Sequence, residues 1–197
     1  MKSMYIGSGD CTSLLAGLKT QAHLNLLRRF VSGEVPYYNA IASPIDALRT
    51  GAILEDRFFL TLPDDYYPQY KVINEEQDVL KSSLDFAKIE KGEVVDFIEL
   101  KSVSFYDFLE INDIDYIKKK YKNYYNQVQF QLYCAGLESA TLCFLCVYSY
   151  DDNENRVREI NTEMDTKRFT IERDEKVINK IKERAEIFQQ LKNLYHD

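Results

Sequence analysis

The sequence lacks tryptophan, is poor in glycine and proline, and contains no long apolar run. Only seven glycines and four prolines occur in 197 residues, which argues against a disordered or linker-rich chain. The apolar runs are much too short to span a membrane, and the N-terminus does not have the pattern of a signal peptide. We therefore expect a cytoplasmic protein with a single domain, residues 1–197, and no membrane contact.

Positive charge is also scarce, since the formal net charge is −7. Nucleic-acid-binding proteins are usually basic, so an acidic chain that binds nucleic acid must concentrate its positive charge locally. The most basic run surrounds Lys119, at the end of a predicted helix. Lys119 and its neighbours either contact phosphates or form a solvated, lysine-rich helix end that complements the helix dipole.

The four cysteines, at positions 11, 134, 143 and 146, do not form the framework of a small disulfide-rich domain. We expect reduced and mostly buried thiols. Cys143 and Cys146 are three residues apart in a predicted apolar strand, so their side chains point to opposite faces. No iron–sulfur cluster is expected from this arrangement.

Apolar residues make up 45% of the chain, including 15 tyrosines and 11 phenylalanines, which is enough for a substantial core. Periodicity and turn signals predict an α/β (α+β) fold in which helices flank a central mixed sheet. The predicted helices cover residues 10–33, 43–63, 113–121, 124–133 and 174 to the C-terminus. The predicted strands cover residues 70–73, 80–89, 94–104, 140–150 and 168–171, and residues 151–154 are predicted to form a turn.

A predicted hairpin carries Asp85 on one strand and Glu99 and Lys101 on the next. Glu99 and Lys101 are two residues apart and therefore share a face. A three-residue loop centred on Gly92 would make Asp85 and Glu99 direct cross-strand partners, about 5 Å apart at their Cβ atoms. Such a pair repels unless a cation neutralises it, and carboxylate oxygens suit Mg²⁺ or Mn²⁺. A buried ion pair between Glu99 and Lys101 is the alternative, but it does not account for Asp85.

Two predicted helices add polar residues to this hairpin. Gly51 and Glu55 lie four residues apart on one helical face, where the glycine either permits close approach of a ligand or is simply tolerated. Three glutamines follow in the helix at 124–133, with Gln127 and Gln131 one turn apart and Gln129 one turn from Tyr133. So many glutamines on an otherwise apolar helix indicate a polar surface with a specific partner.

The order of these residues along the chain resembles the core of the PD-(D/E)xK nuclease superfamily, which implies a restriction-endonuclease-like core. Within that superfamily the chain resembles the phage lambda-exonuclease and YqaJ-type recombination nucleases. Three further stretches carry this resemblance: residues 6–10 running into 14–17, residues 126–130, and residues 171–176.

The resemblance implies roles for the matched residues. Three carboxylates and one backbone carbonyl would bind Mg²⁺, for which Mn²⁺ can substitute: Glu55, Asp85, Glu99 and Leu100. Lys101 would orient or deprotonate the attacking water, and Gln127 would contact the scissile region or the water on the metal. Ser8 and Ser83 match the pocket that holds a 5′-phosphate in this family. The other candidate substrate contacts come from the residues themselves: Gly51, Lys119, Gln129 and Tyr133.

The family degrades one strand of linear double-stranded DNA from the 5′ end. The resemblance therefore implies a phage-type recombination exonuclease, in the host cytoplasm if phage-encoded, with a ring-shaped trimer and a single-strand annealing protein as partner. The chain departs from the family at the N-terminal turn, where Gly9 replaces the expected serine and only Lys2 precedes the turn as a basic residue. Strict dependence on a 5′-phosphate therefore does not follow.

Three alternatives remain open at this point. The same core could serve an endonuclease or nickase. The segment from Gln129 to Tyr133 also fits the Q-x-x-x-Y motif of RecB-like nucleases, some of which carry an iron–sulfur cluster. A non-catalytic nucleic-acid-binding module is the third, although the intact Asp85, Glu99 and Lys101 argue against it.

Overall fold

A computed structural model describes residues 4–33 and 45–196. Within these residues six strands form one mixed sheet, which confirms the predicted mixed sheet. Five of these strands were predicted, whereas the two-residue strand Ile6–Gly7 was not. The strand order is β1-β3-β4-β5-β6, and β2 pairs with β3 in addition. The strands are β1 (Ile6–Gly7), β2 (Tyr66–Ile73), β3 (Leu80–Glu90), β4 (Glu93–Ser104), β5 (Ser139–Val147) and β6 (Thr166–Glu172).

Helices cover both faces of this sheet. They are α1 (Cys11–Leu15), α2 (Gln21–Ser32), α3 (Ile45–Phe59), α4 (Phe105–Glu110), α5 (Ile114–Lys120), α6 (Lys122–Ala135), α7 (Asp152–Val157) and α8 (Glu175–His196). None of the helices in the described ranges is long and apolar enough to cross a membrane.

The hairpin between β3 and β4 has the predicted register but a different turn. The turn is the two-residue loop Lys91–Gly92, in which both residues have positive φ angles, 53° and 88°. Such turns match the twist of the flanking strands. A bulge between Lys88 and Ile89 then restores the register that the expected three-residue loop would have produced.

Three buried clusters hold these layers together. The first lies between one sheet face and helices α4, α5 and α6, and includes Phe97 and Phe144. The second joins α1, α2 and α8 to the start of β3, around Phe188. The third lies on the opposite sheet face under α3, around Phe58 and Phe86. The site described below lies where α3 and α6 approach β3 and β4 from the two faces.

Two of the cysteine predictions are confirmed: the thiols are reduced and buried, and Cys143 and Cys146 face opposite sides of a strand. All four cysteines are free and buried, and Cys143 and Cys146 belong to clusters on opposite faces of β5. Burial raises the pKa of the Cys11 thiol to about 12 and that of Cys143 to about 11. These thiols are therefore packing residues that stay protonated at neutral pH.

Several element boundaries differ from those predicted. The N-terminal helix consists of two helices, because α1 ends at Leu15 and Thr20 caps the next helix by accepting a hydrogen bond from the amide of His23. Strand β2 begins four residues earlier than expected, and the turn expected at 151–154 starts α7 instead. The predicted helix start at Ser43–Pro44 lies outside the described residues.

Candidate active site

Strands β3 and β4 separate at the predicted acidic residues Asp85 and Glu99, and we call the place where they separate the fork. Their ladder runs from the turn as far as the pair Phe86–Ile98, one position short of the predicted Asp85–Glu99 pair. Beyond this pair the neighbour of β4 is β5, while β3 continues beside β1 and β2. The two acidic residues therefore lie where the strands part, which gives their side chains room that a closed ladder would not provide.

Glu99 is fully buried and accepts hydrogen bonds on both carboxylate oxygens. Its Oε1 receives Lys101 Nζ at 2.5 Å and Gln127 Nε2 at 2.6 Å, and its Oε2 receives Gln131 Nε2 at 2.5 Å. A buried charge is costly unless it is paired and hydrogen-bonded. Helix α6 thus supplies two amide donors, one turn apart, to a carboxylate on β4.

Asp85 and Glu55 approach the same point from β3 and α3. Burial raises the pKa of Asp85, the charge of Glu99 raises it further, and the charge of Lys101 opposes both. Burial also raises the pKa of Glu55, a hydrogen bond from Gln69 opposes this, and the charge of Glu99 adds to it. The two carboxyl groups thus lie close enough to Glu99 to feel its charge, in surroundings that disfavour their ionised forms.

Lys101 is held as an ammonium ion. Burial by itself would lower its pKa, but the charges of Glu99 and Asp85 and the hydrogen bond to Glu99 outweigh burial and raise it. Its Nζ also lies 5.3 Å from the ring centroid of Tyr124 on α6, within the range of a cation–π contact. In this arrangement Lys101 can donate hydrogen bonds, whereas it has no lone pair with which to accept a proton.

Solved structures share this arrangement of helices and strands. An alkaline exonuclease from Laribacter hongkongensis, LHK-Exo, superposes with a TM-score of 0.64 at 14% identity, over 98% of this chain and 92% of that one. A phage-related exonuclease from Haemophilus somnus gives the same TM-score at 16% identity, over 98% of this chain and 97% of that one. The chain shares the fold of these two exonucleases.

A second structure of LHK-Exo, in complex with dAMP, superposes with a TM-score of 0.63 at 16% identity. No family model matches the sequence, and none of the curated proteins matches it. The resemblance inferred from the sequence motifs is therefore confirmed at the level of the alkaline exonuclease fold, through structure and not through sequence identity.

The donor set of the fork fits a hard divalent cation. Glu55, Asp85 and Glu99 offer only oxygen ligands, and the raised pKa values of the first two show that the fork disfavours their charges when no cation is present. Within residues 4–33 and 45–196, however, no three acidic, histidine or cysteine side chains are already placed as a metal centre. Lys101 and the two glutamine amides use both oxygens of Glu99 instead.

The other predicted residues near the fork are placed as follows. Leu100 donates its backbone N–H to Asp85 Oδ2 at 2.8 Å. Ser83 donates to Gln69 Oε1 at 2.9 Å. Gly51 lies one turn before Glu55, and among the described residues an added methyl group there would meet no atom within 4 Å apart from the adjoining backbone of its own helix. Ser8 opens a short 3₁₀ helix directly after β1, whose Gly7 pairs with Lys81 of β3.

Three of the predicted substrate-contacting side chains lie away from Glu99 and have other partners or face solvent. Gln129 is fully buried, donates to Glu172 O at 2.8 Å and accepts from the amide of Asp174 at 2.7 Å. Tyr133 Oη is hydrogen-bonded to Glu76 at 3.0 Å. Lys119 is exposed on α5, so none of these three side chains is hydrogen-bonded to the fork.

Two glutamines in the fork were not predicted as site residues. Gln131 donates to Glu99 and also to the carbonyl of Ser83, at 3.2 Å, which ties the two arms of the fork together. Its spacing from Gln127 is visible in the sequence and is the signal that could have identified it. Gln69 donates to Glu55 Oε1 at 2.5 Å, and no sequence signal marks it.

Proposed function

We propose that this protein is a metal-dependent exonuclease that hydrolyses one strand of linear double-stranded DNA, starting from the 5′ end. The observation that carries the proposal is the convergence of five predicted site residues on one fork, within the alkaline exonuclease fold. They are Glu55, Asp85, Glu99, Lys101 and Gln127. The solved exonucleases that share the fold support the reaction class.

The residues of the fork have separate tasks in this proposal. Glu55, Asp85 and Glu99, with the Leu100 carbonyl, would hold Mg²⁺ or Mn²⁺, which stabilises charge on the phosphodiester and lowers the pKa of a bound water. Lys101 would orient that water or a phosphate oxygen through its N–H groups. Gln127, once its amide is released from Glu99, would donate to the same region.

The same geometry supports hydrolysis over mere binding. The fork gathers Asp85, Glu99 and Lys101 in a largely buried place, and burying such charged groups together is costly and is not required of a surface that only binds DNA. An endonuclease or nickase on the same fork is the second candidate, because the fork alone does not select between DNA ends and continuous strands. The family resemblance adds three features to the proposal: a single-strand annealing protein as partner, a trimeric ring, and a role in phage-type recombination.

A substrate panel tests the reaction class. The purified protein is incubated with Mg²⁺ and either end-labelled linear duplex or covalently closed circular duplex, and linear molecules are supplied with and without 5′-phosphate. We expect loss of linear DNA only, with mononucleotides released from the labelled 5′ end. Cutting of closed circles would support the endonuclease, and intact DNA in every tube would contradict both enzymes.

Oligomeric state is tested separately, because catalysis does not require the ring. Light scattering at the protein concentration used in the assay should give about three times the chain mass of 23.1 kDa. A monomer mass under these conditions would remove the trimer from the proposal and leave the hydrolytic site untouched.

A further inference from the structure

Gln69 has an unusual backbone for a residue in the middle of a strand. Its φ angle is +50°, and within the described residues Lys91, in the hairpin turn, is the only other non-glycine residue with a positive φ. Residues with a Cβ atom rarely adopt this conformation, because the Cβ atom comes too close to the following carbonyl oxygen. Residues persist in such conformations where the surrounding structure enforces them, and functional sites are where they cluster.

The strained residue lies beside the fork. The pairs Tyr70–Leu84 and Pro68–Phe86 flank it, so Gln69 lies opposite Asp85. In a regular strand, residues two apart point to the same face of the sheet. Leu84 and Phe86 do not, because Leu84 packs in the first cluster and Phe86 in the third, on the opposite face. The positive φ angle of Gln69 therefore coincides with a local rotation of β2 and β3 next to Asp85, a predicted metal ligand.

The side chain of Gln69 connects helix α3 to strand β3. Its Nε2 donates to Glu55 Oε1 at 2.5 Å, and its Oε1 accepts from Ser83 Oγ at 2.9 Å. A primary amide is suited to this position because it donates at one end and accepts at the other. The bond uses one oxygen of Glu55 and leaves the second oxygen of that carboxylate for another partner.

We propose that Gln69 is a positioning residue that fixes the carboxylate of Glu55 for binding of a divalent cation. The inference rests on the proposed function, in which Glu55 is a metal ligand. The left-handed backbone turns the amide towards Glu55 on α3, and the bond from Ser83 fixes the orientation of the amide. Partners of this kind, one step removed from the metal, typically change metal affinity or activity 10- to 100-fold when they are removed.

The test measures Mn²⁺ binding to the DNA-free protein, by electron paramagnetic resonance of the unbound ion and by calorimetry. Gln69→Ala removes both hydrogen bonds and keeps a Cβ atom in the strained conformation. Gln69→Gly removes the same bonds and also relieves the strain, so it remains folded if strain is the obstacle. We expect both variants to bind Mn²⁺ about tenfold or more weakly than the unmodified protein.

Lys91→Gly is the matched control. It relieves the same backbone strain in the hairpin turn, away from Glu55, and should bind Mn²⁺ with unchanged affinity. Thermal unfolding in EDTA is recorded for all three variants, to verify that the measured loss belongs to folded protein. Steady-state rates on linear duplex then show whether the lost activity returns at high Mn²⁺ concentration, as expected when only metal binding is weakened.

The outcomes separate this inference from the proposed function. Wild-type affinity in both Gln69 variants, or an unmodified protein that binds no Mn²⁺, overturns the role of Gln69. If the unmodified protein binds Mn²⁺ but cuts no DNA, the exonuclease proposal fails while the affinity comparison still decides the role of Gln69. If the Gln69 variants cut and bind like the unmodified protein, the inference alone fails.

Discussion

The backbone amide of Leu100 donates to the carboxylate of Asp85 at 2.8 Å, at the point where the β3–β4 ladder has ended. This amide points towards β3 but finds a side chain there instead of a ladder carbonyl. The contact orients Asp85 through one of its two carboxylate oxygens. At the fork, the end of the β3–β4 ladder frees the Leu100 amide on β4, and this amide holds Asp85 of β3 in place.

Replacing Lys101 by alanine should reduce hydrolysis of linear duplex at least about 100-fold, because a positioned group that orients the attacking water or a phosphate oxygen contributes about that much. Mn²⁺ binding to the DNA-free variant should remain, since the ammonium ion is not a ligand. Lys180→Ala, an exposed position on α8, is the control and should behave like the unmodified protein. A Lys101→Ala variant with the wild-type rate would contradict the proposed role of the lysine.

Asp85→Asn should abolish hydrolysis and yet stabilise the metal-free protein, by about 0.5–2 kcal/mol. Burial and the charge of Glu99 raise the pKa of Asp85, so folding disfavours its ionised form. An asparagine carbonyl can still accept the hydrogen bond from Leu100. Urea denaturation in EDTA measures the effect, and added Mg²⁺ should stabilise the unmodified protein but not the variant. A less stable variant in EDTA would indicate that Asp85 is well satisfied without metal.

Gln131→Leu should lower the free energy of unfolding by about 1–3 kcal/mol, because it leaves Oε2 of the buried Glu99 without its donor. The amide oxygen of Gln131 has no hydrogen-bond partner within the described residues, so its removal adds no further penalty. A double-mutant cycle with Glu99→Gln tests the cause. The cost of Gln131→Leu should shrink in the Glu99→Gln background, and purely additive costs would argue against the bond.

Gly92→Ala and Gly51→Ala should change stability in opposite directions. Gly92 has a φ angle of +88° in the hairpin turn, where alanine costs about 1–2 kcal/mol. Gly51 lies inside α3, where alanine gains about 1 kcal/mol. An added methyl group has open space at both positions, so backbone conformation decides both signs. Denaturant midpoints of the two variants provide the comparison, and equal signs would contradict it.

Buried thiols should make the protein less stable as the pH rises above about 9. The pKa of Cys11 is raised to about 12 and that of Cys143 to about 11, so these thiols ionise in the unfolded chain before they ionise in the folded one. The unfolded state then binds fewer protons, and each thiol lowers stability by about 1.4 kcal/mol per pH unit between its unfolded and folded pKa values.

Unfolding free energies measured between pH 8 and pH 10 should show this decline, and Cys11→Ala should decline less steeply than the unmodified protein. The comparison of slopes is needed because Cys11→Ala also leaves a small cavity, which lowers stability at every pH. Identical slopes would mean that Cys11 does not contribute to the pH dependence.

The sequence was sufficient for the order of elements and for most of the fork, because local signals determine both. Apolar segments on either side of a turn identified β3 and β4, and Gly136 ends α6 with a φ angle of +68°, as its position after the apolar run predicted. The Asp85–Glu99 relationship was derived from a three-residue loop. It is nearly correct because the bulge after Lys88 compensates for the shorter turn.

The remaining features depend on tertiary contacts. Gln69 is a common residue type in a conformation that glycine would normally take, so its role cannot be inferred from residue preference. The spacing of Gln127 and Gln131 showed a shared face but not the buried carboxylate that they meet. Asp151 accepts hydrogen bonds from the amides of Asn153 and Glu154, which makes a helix start of the residues predicted to form a turn.

The elements of the fork come from distant parts of the chain, and this dictates when the site can exist during synthesis. Glu99 and Lys101 lie on β4, where their strand neighbours are Leu142 and Phe144 of β5. Since a parallel pair forms only after its second strand has been made, β4 lacks this neighbour until Leu142 and Phe144 have been synthesised. A nascent chain that already carries every candidate ligand and Lys101 therefore still lacks the strand that supports Glu99 and Lys101 on this side.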